Sequence, residues 1–195
     1  MNDIDLSDIE VLWDKKLIAQ EIKRVSKEID NKFKNSDSVN LIPILTGGLM
    51  FVSSLIFELE NLRSGCYKMF PIIAKSYGNS TQSQGTKIYG YEFLSDSLDK
   101  NSPSVIVDDI MDTGETLVTV SNKVKEISNS GIFTAVLLDK LGRRNNILEP
   151  DFSCFVLEDN KWIVGYGMDY EGKFRGLDFL GYIPIFCLLY TSQSP

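Results

Sequence analysis

Three acids crowd one short stretch of this chain, "SVIVDDIMDTGETLVTV" (104–120). Asp108 and Asp109 end an apolar run, Asp112 follows at once, and Thr113-Gly114-Glu115-Thr116 opens what reads as a helix. The free N–H groups of a helix start carry partial positive charge and suit an anion. Capping gives Asp109 or Asp112 a role but leaves the adjacent pair at the end of a buried strand unexplained. Gly114 and Thr116 offer a phosphate room and a hydroxyl, in the manner of an anion nest. Neither G-x-x-x-x-G-K-[ST] nor G-x-G-x-x-G occurs, and Glu115 stands where the first of these needs Lys. The loop therefore reads as the site of a small monophosphate. Its acids would serve sugar hydroxyls and a hydrated Mg²⁺, a cation that keeps several waters and takes one or two carboxylates.

Other elements must hold this loop in place. Residues 14–34 space Leu17, Ile18, Ile22, Val25, Ile29 and Phe33 three and four apart, as an amphipathic helix does. "VNLIPILTGG" reads as a buried strand broken by Gly47-Gly48, with Pro43 arguing for an edge or a bend. "LMFVSSLIFELENL" follows as a helix, "MFPIIAKSYG" as a strand, and "GNSTQSQGTKIYG" as a polar loop. "SVIVDDI" is a strand, and "TLVTVSNKVKEISNS" is a helix capped by Gly131. "IFTAVLLDK", "DFSCFVLE" and "WIVGYGMDY" are further strands. Alternating strands and helices with nearly continuous apolar strands predict an α/β fold with a parallel-sheet core flanked by helices. In such sheets ligands bind beyond the carboxyl ends of the strands. The Gly47-Gly48 turn, the Ser76-Tyr77 loop, the acidic loop and Lys140 all fall at such ends.

Composition removes several chemistries. The 195 residues include no histidine, which excludes Ser-His-Asp and Cys-His catalysis and histidine zinc sites. A net charge of −7 argues against a nucleic-acid partner. Cys66, Cys154 and Cys187 are far apart without a C-x-x-C, as expected for reduced thiols in a cytoplasmic protein. The acidic start "MNDIDLSDIE" lacks the features of a signal peptide, and the apolar stretch "YIPIFCLLY" is too short for a membrane span.

"VIVDDIMDTGET" resembles the phosphoribosyl pyrophosphate (PRPP) motif of type I phosphoribosyltransferases, and residues 10–185 resemble their hypoxanthine-guanine branch. "LIPILTGGLMFVSSLI" stands where that family has its pyrophosphate loop, "KSYGNSTQSQG" is similar to its lid, and "LLDKLGRR" to its purine-reading segment. "PDFSCFVLEDNKWIVGYGMDYEGKFRGL" resembles its C-terminal purine and metal segment. The resemblance implies one domain, 1–195, with a core of about 36–157 and a hood from about 1–35 and 158–195. It implies transfer of a 5-phosphoribosyl group from PRPP to N9 of hypoxanthine, guanine or xanthine, with Mg²⁺ as cofactor and a homodimer or homotetramer as the assembly.

The same resemblance implies residue roles. Asp112 would act as general base toward purine N7 or hold its proton. Asp112, Thr113, Gly114, Glu115 and Thr116 would bind the 5′-phosphate, and Asp108 and Asp109 the ribose hydroxyls and Mg²⁺ waters. Thr46, Gly47, Gly48, Arg144 and Arg175 would meet pyrophosphate, with Ser76 and Tyr77 closing over the site. Lys140 would donate to the 6-oxo group and reject the 6-amino group of adenine, since an ammonium has only donors. Trp162 would stack on the purine, Ile163 would offer its carbonyl, and Asp169 would ligate Mg²⁺. The chain departs from the family at Thr46, where a lysine is usual, at Glu115, and in having Asp-Asp rather than Glu-Asp. A non-catalytic PRPP or nucleotide sensor on the same fold, or a transferase for another acceptor such as a pyrimidine, remains an alternative.

Overall fold

The computed structural model describes residues 4–76, 86–144 and 149–184. A short 3-10 turn, Leu6–Asp8, precedes strand β1 (Glu10–Trp13). There follow α1 (Lys15–Lys32), β2 (Val39–Leu45), α2 (Leu49–Leu62), β3 (Tyr67–Met69), β4 (Ile72–Ser76), β5 (Thr86–Tyr89) and α3 (Tyr91–Ser97). The chain continues through β6 (Ser104–Met111), α4 (Glu115–Lys125), β7 (Ile132–Lys140), β8 (Phe152–Leu157), β9 (Trp162–Val164) and β10 (Leu180–Ile183).

The large sheet runs β5-β4-β2-β6-β7-β8, with β3 also pairing β2. All its pairs are parallel except β4 with β5. Alternation sorts its side chains to two faces, as period-2 strands must. Val39, Leu41, Val105, Val107, Ala135 and Leu137 pack under α1 and α2 with Ile18, Ile22, Phe51 and Leu55. Ile42, Ile44, Ile106 and Val136 pack under α3 and α4 with Leu94, Leu98, Leu117, Val120 and Val124. Both faces are covered, which explains why the strands read as continuous apolar runs.

Pro43 lies inside the sheet rather than at its edge. Strand β2 pairs β3 through residues 39–41 and β4 through residues 44–45, so Pro43 falls at the changeover, where no neighbour needs its missing N–H. The reading of "MFPIIAKSYG" as one strand is corrected by the same feature, because Phe70-Pro71 splits it into β3 and β4. The expected Gly131 cap is also corrected: α4 ends at Lys125, and the Gly131 carbonyl instead accepts from Ser104 N.

A small antiparallel sheet, β1-β10-β9, forms the hood over a cluster of Ile4, Ile9, Val164 and Ile183. Helix α1 buries Ile18, Ile22, Val25 and Ile29 in the cluster against the large sheet, which also takes in Ile163 and Leu180 of the hood strands. Asp14 caps α1 by accepting from Leu17 N at 2.8 Å, marking where the chain leaves the hood. "WIVGYGMDY" is a strand only over Trp162–Val164. Positive φ at Gly165 (94°), Tyr166 (47°) and Gly167 (108°) then turns the chain back toward the large sheet.

Candidate active site

Chain order in the sheet reverses between β2 and β6, and the crevice of an open α/β sheet opens at such a point. Two cavities lie there. The larger, about 380 Å³, is lined by the β2 and β6 loops, including Thr46, Gly47 and Asp108–Gly114, and by Thr116, Lys75 and Arg175. The smaller, about 180 Å³, is lined by Lys140, Arg143, Trp162, Ile163, Met168 and Asp169. Asp109, Ile110 and Asp112 line both. The geometry suits a ligand with a phosphorylated part in one chamber and a flat ring in the other, joined beside Asp112.

The acidic loop stands on a rigid base. Val105, Ile106 and Val107 are fully buried between neighbours β2 and β7. Burying each is worth roughly 1.5–3 kcal/mol, which offsets the cost of two desolvated acids at the strand's end. Asp108 and Asp109 are only 7% and 8% exposed. Burial, and then the charge of Asp109, holds the Asp108 carboxyl well above the usual carboxylate range. Burial also raises Asp109, against hydrogen bonds and the more distant Arg175, which lower it. Such a pair favours sharing a proton or receiving a cation and hydroxyl donors.

Gly114 occupies the N-cap of α4 with φ at 82°, and no side chain caps the helix. Neither Asp109 nor Asp112 therefore serves as a cap, and the helix start faces the larger cavity. Thr113, Gly114 and Thr116 line it, whereas the Glu115 side chain is exposed outside, leaving Glu115 only its backbone for an anion. Thr113 Oγ1 accepts weakly from Glu115 N at 3.4 Å.

In the smaller chamber, Lys140 ends β7, is 5% exposed, and points Nζ to within 3.6 Å of Asp112 Oδ1. That oxygen is buried and accepts no hydrogen bond among the described residues. Trp162 is 44% exposed and is steadied by Nε1–H donating to the Asp169 carbonyl at 3.1 Å. Tyr170 meets its ring edge-on at 5.8 Å between centroids, leaving its face toward the chamber available for stacking. Asp169 is fixed by Arg175 Nη2 at 2.5 Å and by Gly172 N at 2.6 Å.

Most of the expected residues thus converge, with corrections. Arg144 does not line the larger cavity; its side chain turns inward to an ion pair with buried Asp139. Its neighbour Arg143 faces the site instead, 3.2 Å from Asp112 Oδ2. Gly48 also leaves the cavity wall. It is buried under α2, where a Cβ would meet the Ile44 carbonyl at 2.8 Å. Gly47 remains beside the acids, since a Cβ there would stand 2.2 Å from Asp109 Oδ2. Ser76 closes β4, and Tyr77 lies outside the described residues. Two charged lining residues, Lys75 and Arg143, were not anticipated. Lys75 opens the lid-like stretch "KSYGNSTQSQG" but is assigned no role there, and nothing in the doublet Arg143-Arg144 says which arginine turns inward.

A mostly parallel α/β sheet with an acidic loop and an uncapped helix start at its switch point, joined to a ring-sized chamber, matches a sugar-phosphate transferase class. The chain belongs to the phosphoribosyl transferase domain family, whose model matches residues 9–171. It is 28% identical over 164 residues to a hypoxanthine-guanine phosphoribosyltransferase of Streptococcus pneumoniae, covering 84% of this chain and 87% of that one. It is 32% identical over 167 residues to the Rattus norvegicus protein of the same name, covering 83% and 75%. In solved structures, a hypoxanthine phosphoribosyl transferase of Trypanosoma cruzi superposes with a TM-score of 0.82 at 25% identity, covering 95% of this chain and 96% of that one. Among the described residues, no helix is long and apolar enough to cross a membrane.

Proposed function

We propose that this protein is a purine-salvage transferase that moves the 5-phosphoribosyl group of PRPP to N9 of a 6-oxopurine and releases pyrophosphate. The observation that carries the proposal is the meeting of the two chambers at Asp112, with Lys140 in the ring chamber and the uncapped α4 start in the other. The backbone and hydroxyls of residues 112–116 hold the 5′-phosphate. Asp108 and Asp109 accept from the ribose hydroxyls and face the positive charge that grows on the ribose as pyrophosphate leaves. Asp112 turns Oδ1, which accepts no hydrogen bond among the described residues, to N7 of the base, taking or holding its proton. Lys140 donates to the 6-oxo group, Trp162 stacks on the ring, and Ile163 lends its carbonyl. Arg175 meets pyrophosphate.

Two buried carboxylates of raised pKa are a donor set that Mg²⁺ fits, since it keeps several waters and shares itself between carboxylates and substrate phosphates. Bound there and at Asp169, it would neutralise charge on the departing pyrophosphate. Asp169 would first have to give up Arg175. We also propose a homodimer or homotetramer, supported by exposed Leu49, Met50 and Phe57 on α2.

The test is a chromatographic assay of the purified protein with PRPP and Mg²⁺, offering hypoxanthine, guanine, xanthine and adenine separately with an EDTA control. Mg²⁺-dependent IMP, GMP or XMP without AMP is the expected result. Absence of any nucleotide product would overturn the proposal in favour of a PRPP or nucleotide sensor.

A further inference from the structure

The charged side chains lining the larger cavity are three carboxylates, Asp108, Asp109 and Asp112, and two cations, Lys75 and Arg175. Arg175 is already engaged, donating to Asp169 at 2.5 Å and to the Gly167 carbonyl at 2.6 Å. The β2 loop contributes Thr46, which brings no charge. Lys140 lines the other chamber. A polyanion entering this cavity therefore meets one cation without a partner among the described residues, and that cation is Lys75.

The position of Lys75 is suited to the task. Strands β2 and β4 are parallel neighbours, with Leu45 in register with Ile73, a register that carried onward brings Lys75 level with Gly47, one residue past Thr46, and all three line the cavity. Level with a glycine that has no side chain, a lysine on β4 brings charge to the same cavity wall that Thr46 lines without one. A second observation points the same way. Lys75 lies directly opposite Lys87 across the antiparallel β4–β5 pair. Opposed residues share a face, and like charges so placed repel. Both side chains are exposed. Such a pair weakens the sheet unless an anion lies against it and turns the repulsion into shared attraction.

We propose that Lys75 supplies the cation for the pyrophosphate group of PRPP, in place of the charge absent at Thr46, with Lys87 strengthening the field from the same face. The inference rests on the transferase reading above, and its test separates the two. Wild type, K75A, K75R, K87A, T46K and the double variant T46K/K75A would be assayed in both directions. In K75A the KM for PRPP and for pyrophosphate should rise about tenfold or more, the loss of one charge-assisted contact. The KM for the nucleoside 5′-monophosphate should stay the same, which also shows that the variant is folded. K75R should keep most of the affinity, K87A should show a smaller rise, and T46K should restore pyrophosphate affinity to K75A. Unchanged KM for pyrophosphate in an active K75A, or an equal rise for the nucleotide, would overturn the role of Lys75 alone. A wild type that forms no nucleotide would defeat the transferase reading. Calorimetric titration of inorganic pyrophosphate into wild type and K75A would then decide Lys75, equal affinity rejecting it.

Discussion

Arg143 Nη1 lies 3.2 Å from Asp112 Oδ2, the oxygen that Lys140 does not face. The proposed base is thus held by two cations, one on a buried strand end and one on a half-exposed turn. A purine that brings N7 to Asp112 Oδ1 leaves Arg143 on Oδ2, where its positive charge makes the carboxylate a poorer acceptor for the base. Since the Arg143 side chain is 50% exposed, solvent screens the pair and its worth is at most about 1 kcal/mol. R143A is expected to lower the KM for the base about two- to fivefold with little change in kcat. Steady-state kinetics with varied hypoxanthine decides it, and a raised KM would mean that Arg143 touches the base itself.

Lys140 lines the ring chamber and is the discriminating donor in the proposed function. K140A should raise the KM for hypoxanthine about tenfold or more, because a hydrogen bond to a charged donor is worth roughly 1.5–3 kcal/mol. The ratio of kcat/KM for hypoxanthine to that for adenine should fall in parallel. A variant that keeps the ratio would remove Lys140 from base selection.

Asp108 sets a pH dependence of stability. Its folded pKa lies above the ordinary value of 3.8, so the folded chain binds this proton more tightly than the unfolded chain. Below 3.8 the group is neutral in both states and costs nothing. As pH rises from there through the raised folded value, stability is lost. Without divalent cations, D108N should flatten that decline and melt at a higher temperature than wild type at neutral pH, while binding PRPP more weakly. Thermal melts across acid to neutral pH test both halves. Equal melting at neutral pH would show that desolvation of Asp108 costs the fold nothing.

Gly47 and Gly167 separate function from stability. A methyl at Gly47 collides with the Asp109 carboxylate, which can swing aside and out of place. G47A should therefore cut kcat/KM for PRPP by about a hundredfold with a small change in Tm. At Gly167, φ is 108° and a Cβ would stand 2.1 Å from the Gly47 carbonyl, so both backbone strain and a rigid contact oppose the substitution. G167A should lower Tm more than G47A does. The reverse order in differential scanning calorimetry would contradict the packing described.

What the sequence revealed depended on how local the signal was. The acids of 108–112 and the α4 start were legible because a strand end, a tight turn and a helix start follow one another within a few residues. Lys140 was legible as the last residue of an apolar strand. The turn after β9 was not, since an apolar run gives no warning of positive φ at Tyr166. Arg143 and Arg144 differ by one position, and the choice between them is made by Asp139, a residue of β7 that pairs with Arg144. Lys75 opens a stretch read as a lid, but its place on the cavity wall comes from strand neighbours, β2 beside it and Lys87 across from it, which no local spacing encodes.

The hood sheet joins the two ends of the described chain, with Tyr182 bonded to Glu10 across 172 residues. Strands β2–β8 all precede Trp162, so during synthesis the large sheet can close before the stacking wall leaves the ribosome, whereas β1 must wait for β10. A released chain truncated after residue 160 is expected to resist proteolysis across the large sheet while β1 is still cut. Translation would then deliver the acidic loop and Lys140 first, and Trp162, Asp169 and Arg175 last, in a fixed order of assembly.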